Sequence, residues 1–175
     1  MEVKEMIQKY NISKFDEGKI RIANMNAVNR DNALELIKKS KTEILEYIER
    51  EIAEKKAAAD MRQAKIDAIE GLKELKEVIR SWARYDAEFE RRMNDECLSF
   101  IAPKKPVVTV DEVSAKYPRA AAYIKAENMS YASNYTKSEC GREALEKIIN
   151  GYDYTEALKE ADEKWSAYCT NHIFD

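Results

Sequence analysis

The chain has 175 residues, room for one or two small domains, each with a modest core. Hydrophobic residues make up 45% of it, a globular share, but 36% are charged and there are only four glycines and three prolines, a balance that favours long, solvated helices. The net charge of −3 argues against a protein dedicated to non-specific nucleic-acid binding, which carries a basic surplus.

The first residues, MEVKEMIQKYNISKF, lack the basic start and apolar stretch of a secretory signal. No run approaches the roughly 18 apolar residues of a membrane span. Cys97, Cys140 and Cys169 are odd in number, far apart and without a C-x-x-C spacing, so they read as reduced thiols with structural roles. The expected compartment is the cytoplasm, with no membrane partner.

Val3, Met6, Ile7 and Tyr10 fall at helical spacing and predict a short amphipathic helix ended by Asn11. Ile12–Phe15 and Lys19–Ile22, either side of Asp16-Glu17-Gly18, predict a β-hairpin whose turn uses the positive φ open to Gly18. Ile20 and Ile22 share one face of it, Lys19 and Arg21 the other. A helix follows over about Asp31–Lys39, and the box Ser40-x-x-Glu43 opens another, with Ile44, Leu45, Ile48 and Ile52 as its apolar stripe.

Between Glu51 and Lys65 the pattern thins to alanines and Met61, helix formers with little to bury. The stripe returns with Ile69, Leu72, Leu75, Ile79, Trp82, Phe89 and Met93, as in a coiled coil or helical hairpin. It is expected to pack on another helix, in its own chain or in a second copy, which would make a homodimer. An unbroken helix over 41–95 would span on the order of 80 Å at 1.5 Å per residue, and Gly71 is the place for a bend.

Pro103-Lys104-Lys105-Pro106 marks a linker. Thr109-x-x-Glu112 caps a short helix, and Pro118 suits the first turn of the next, over about Arg119–Met129. A helix over about Ser138–Asn150 turns Ala144, Leu145, Ile148 and Ile149 inward and stops at Gly151. The last, opened by Asp153 and Glu156, carries Leu158, Ala161, Trp165 and Tyr168. The fold class is therefore mainly α: a helix, hairpin and helix module over 1–50, a long central helix over 51–97, a linker over 98–109 and a helical bundle over 110–175.

Catalytic chemistry is hard to place on this chain. The single histidine, His172, lies three residues after Cys169, and two ligands cannot close a zinc site. Glu70, Glu74 and Glu77 alternate with Lys73, Lys76 and Arg80 as a solvated, ion-paired face. There is no P-loop and no G-x-G-x-x-G. No enzyme, metal or cofactor is expected.

Aromatic residues gather beyond Val110: Tyr117, Tyr123, Tyr131, Tyr135, Tyr152, Tyr154, Trp165, Tyr168 and Phe174. Some must be core. The polar surroundings of Tyr131, Ser133, Asn134 and Tyr135 point to an exposed loop, and exposed Tyr is a usual anchor of interfaces. Arg30, Lys38, Lys39 and Lys41, with Lys19 and Arg21, could form a basic face toward DNA. A groove-reading helix would bring more Arg, Asn and Gln, so solvated surface is preferred and nucleic acid is not the favoured partner.

Two resemblances add to this. The leading helix ending in Tyr10-Asn11-Ile12, the turn and strand Asp16-Glu17-Gly18-Lys19-Ile20-Arg21-Ile22, and Leu34 through Lys41-Thr42-Glu43-Ile44-Leu45 resemble the TubC-like N-terminal docking domain of megasynthases. That resemblance implies a small, often dimeric module that captures a partner segment at its hairpin, here beside Lys19, Arg21 and Ile22, by strand addition. No synthase domain is expected in residues 51–175, so the role in natural-product assembly does not carry over. Tyr117-Pro118-Arg119-Ala120-Ala121-Ala122-Tyr123, Ala144 through Gly151, and Trp165-Ser166-Ala167-Tyr168-Cys169 loosely resemble short proteins carried on mobile elements of gut anaerobes. Some small, acidic, helical proteins of that kind inhibit CRISPR nucleases. The combined expectation is a protein that binds another protein without catalysis, in its sharpest form an anti-CRISPR inhibitor of a type II effector nuclease. The alternatives are a docking or scaffolding module and a sequence-specific DNA-binding regulator. Lys19, Arg21, Ile22, Tyr131 and Tyr135 are the candidate partner-binding residues.

Overall fold

The structure, a computed structural model, describes residues 2–16, 18–24, 30–94 and 102–172. Among them are eight helices and one two-stranded sheet, so the protein is mainly α, with β structure confined to the hairpin near the N-terminus. The chain divides into two compact units, Met1–Met61 and Arg62–Asp175.

In the first unit, α1 spans Val3–Tyr10 and ends where Asn11 turns left-handed at φ 46°. Asn suits that conformation because its short polar side chain tolerates αL. Strands β1 (Ile12–Asp16) and β2 (Lys19–Ile22) pair antiparallel, with Ile12 opposite Ile22 and Lys14 opposite Ile20. Gly18 takes φ +67° in the turn, and Glu17 lies outside the described residues. The register slips between Lys14 and Asp16. Phe15, at that irregularity, is 70% exposed, while Lys14 reaches Glu49 at 2.7 Å.

Helices α2 (Arg30–Lys39) and α3 (Lys41–Asp67) follow. Met6, Ile12, Ile37 and Ile44 form the buried core of this unit, flanked by the half-buried Val3, Ile7, Tyr10, Ile20, Ile22 and Ile48. Ile44 is fully buried, which at about 25 cal/mol per Å² of apolar area stabilises by about 2 kcal/mol. Residues 52–65 of α3 are exposed on every side, as their alanine-rich, stripe-free composition implies.

The helix stops at Asp67 and α4 begins at Leu72, running to Met93, so the reading of one helix over 41–95 gives way to two. Gly71, at φ +73°, makes the break. A β-carbon there would sit 2.0 Å from Cγ of Tyr117, so glycine supplies both the left-handed backbone and the room for that ring.

The second unit packs α4, α5 (Val110–Lys116), α6 (Pro118–Ser130), α7 (Tyr135–Ile149) and α8 (Tyr154–His172) around one core. The expected stripe supplies its first wall. Ile69, Leu72 and Leu75 are buried and Ile79 and Trp82 half-buried, with α5 and α6 of the same chain packed against α4. Further along, Met93 is 60% exposed, outside the core that the stripe begins.

Local chemistry sets the helix ends. Thr109 Oγ1 accepts the Glu112 N–H at 3.2 Å while Glu112 accepts the Thr109 N–H at 2.8 Å, the reciprocal cap expected for α5. Pro118 opens α6 at its first position. Asn134 caps α7, accepting the Lys137 N–H at 3.1 Å. At its far end Gly151 takes φ +90° and the Tyr152 N–H returns to the Lys147 carbonyl at 3.1 Å.

Asp153 caps α8, accepting from the N–H groups of Thr155 and Glu156 at 2.8 and 3.0 Å. The bond from the Thr155 hydroxyl, then these two backbone bonds, hold its carboxyl below the ordinary 3.8. Because the folded pKa is the lower one, the stabilisation is complete above pH 3.8 and is lost as pH falls through the folded value. Asp153→Ala should therefore lower the melting temperature at neutral pH, and melts repeated in acid should find wild type and variant converging.

Ion pairs between helices lie over this core. Lys76 of α4 meets Glu127 of α6 at 3.1 Å, Lys116 of α5 meets Glu74 at 3.5 Å, and Lys125 of α6 meets Asp162 of α8 at 2.7 Å. Lys147 pairs with Glu160 and Lys164 with Glu143, both joining α7 to α8. Lys76 and Glu74 thus leave the self-paired face expected on α4, where Glu77 keeps Arg80 and Arg84.

Candidate partner-binding surface

The turn between α6 and α7 and the first residue of α7 carry the most exposed pair of aromatic residues among the described residues of the second unit. Ser130 ends α6, where its hydroxyl donates back to the Glu127 carbonyl at 2.7 Å and its own carbonyl accepts from the Ser138 hydroxyl at 2.6 Å. Those bonds, with the Asn134 cap, hold the turn against the body of the unit. Its two tyrosines face solvent: Tyr131 is 81% and Tyr135 69% exposed. Tyr135, the first residue of α7, donates its hydroxyl to Glu139 at 2.6 Å, which raises its pKa, and the Arg142 guanidinium lies 5.9 Å from its ring centre. A ring held between a carboxylate and a guanidinium gives up little rotamer freedom when it binds.

Lys19, Arg21 and Ile22 belong to the first unit. Lys19 and Arg21 are exposed on one face of β2, and Lys19 lies 3.5 Å from Asp16. Ile22 is half-buried on the opposite face, against the core of its unit, so it serves the fold before any partner. Lys19 and Arg21 thus share a strand face within the first unit, and Tyr131 and Tyr135 flank one turn within the second. Lys38, Lys39 and Lys41 are exposed as well, and the Arg30 side chain lies outside the described part.

An apolar groove between α6 and α8 was not foreseen. Its volume is about 720 Å³, and Pro118, Ala121, Ala122, Tyr154 and Leu158 line it, with the Lys125–Asp162 pair at its rim. Ala121 and Ala122 are visible in the sequence, but the groove exists only where α8 is set opposite them.

A second feature joins α4 to α6. The Tyr123 hydroxyl donates to Glu127 at 3.3 Å, and the Lys76 ammonium lies 5.1 Å from the Tyr123 ring. Burial, then the Glu127 carboxylate, pushes the Tyr123 hydroxyl up to about 12. In an alkaline titration followed by tyrosinate absorbance, one tyrosine should ionise near that value, and Tyr123→Phe should remove this late step alone. A titration completed near the ordinary tyrosine value of 10.0 would contradict the assignment.

The other candidate chemistry is sparse. Cys140 is buried in the core and burial pushes its thiol up, away from a reactive thiolate. Cys169 is half-buried on α8, while Cys97 and the His172 side chain lie outside the described part, as does Phe174. Among the described residues, no three His, Cys, Asp or Glu side chains are grouped to hold a metal ion, and no helix is long and apolar enough to cross a membrane. No family model, curated protein or solved structure matches this chain.

Proposed function

We propose that this protein acts by binding another protein rather than by turnover, and that its sharpest form is stoichiometric inhibition of a type II CRISPR effector nuclease. The observation that carries the binding reading is the α6–α7 turn, where Tyr131 and Tyr135 remain 81% and 69% exposed on a backbone held by side-chain caps. Interfaces draw their affinity from such aromatic and Arg side chains. The nuclease as partner rests on the resemblance to mobile-element proteins. An inhibitor of this kind would occlude the nucleic-acid channel or hold one conformation, its acidic helix faces meeting a basic groove.

A titration tests the reading. Cleavage of target DNA should fall linearly with added protein and vanish near one equivalent. Inhibition complete at a small fraction of an equivalent would mean catalysis. Absence of inhibition, with no nuclease recovered on affinity capture from the producing cell, would remove the nuclease. Replacing Tyr131 and Tyr135 by Ala should weaken binding at least tenfold while leaving the melting temperature unchanged. Equal binding by that variant would remove the turn from the interface.

One observation favours a second reading, a docking module in the first unit. The hairpin is a two-stranded sheet among the described residues, so each strand has one edge that the other does not pair, and Lys19 and Arg21 are exposed on β2, a setting suited to strand addition. Charge reversal at Lys19 and Arg21 distinguishes the two: it should abolish capture by the docking surface and spare a partner held at the α6–α7 turn.

A further inference from the structure

We draw no further inference here: the strongest candidate, the apolar groove between α6 and α8 floored by Ala121, Ala122 and Leu158, is an unpartnered face, and nothing in the structure shows what covers it.

Discussion

Leu75→Asp should leave the second unit unfolded at room temperature. Leu75 is 1% exposed, at the centre of the wall that α4 presents to α5 and α6. The change removes about 2 kcal/mol of apolar burial and places a carboxylate where desolvation without a partner costs several kcal/mol more. A domain of this size has a total stability of about 5–15 kcal/mol, so the loss takes most of it. Circular dichroism and a thermal melt are the measurements. Leu75→Ala, expected to cost about 2–5 kcal/mol, grades the effect without adding charge. A Leu75→Asp protein with wild-type helicity and an unchanged melt would show that this wall is not where stability resides. Because α5 and α6 come from the same chain, the unfolding should not depend on protein concentration.

Gly141→Ala should destabilise, against the usual sign of that substitution in a helix. On an open helical surface the change gains about 1 kcal/mol, since alanine is the better helix former. Gly141 is buried in α7 where it crosses α6, and a β-carbon would stand 2.3 Å from the Ser130 nitrogen and 2.5 Å from the Met129 carbonyl carbon. Those are backbone atoms, so relief requires the two helices to move apart. Overpacking of this kind costs about 1–3 kcal/mol, and the crossing also holds Ser130, which anchors the turn beneath Tyr131. Chemical denaturation should show a lower midpoint. A raised midpoint would mean that α6 and α7 are not in contact there.

These two positions differ in how they could be read in advance. The stripe containing Leu75 follows from spacing alone, because residues three and four apart share a helix face whatever lies opposite. Gly141 stands in Cys140-Gly141-Arg142, with nothing around it that announces a helix crossing. Its role exists only once α6 is folded back across α7 at the turn between them. Tyr123 is similar, because its company of Lys76 and Glu127 comes from two helices.

The same division runs through the candidate surface. Exposure at Tyr131 and Tyr135 could be expected from their polar neighbours, and Glu139 and Arg142 follow Tyr135 along one face of α7, so that company is set by helical spacing. Ile22 was a candidate contact by its place in the hairpin. Packing draws it against the core of the first unit.

By itself the sequence determined the helices, the hairpin and most of their ends, because caps at Thr109 and Asp153, Pro118 at a first turn and glycines at Gly18 and Gly151 act within a few residues of chain. Gly71 marked where the central run could bend, but only the tertiary structure decided that the helix stops there, where the Tyr117 ring takes the space of a missing side chain. It likewise decided which ion pairs join helices and where a groove opens between α6 and α8. Local signals depend on backbone geometry that every chain shares, whereas these features depend on which side chains meet across the fold, and their distances are set by packing rather than by spacing along the sequence.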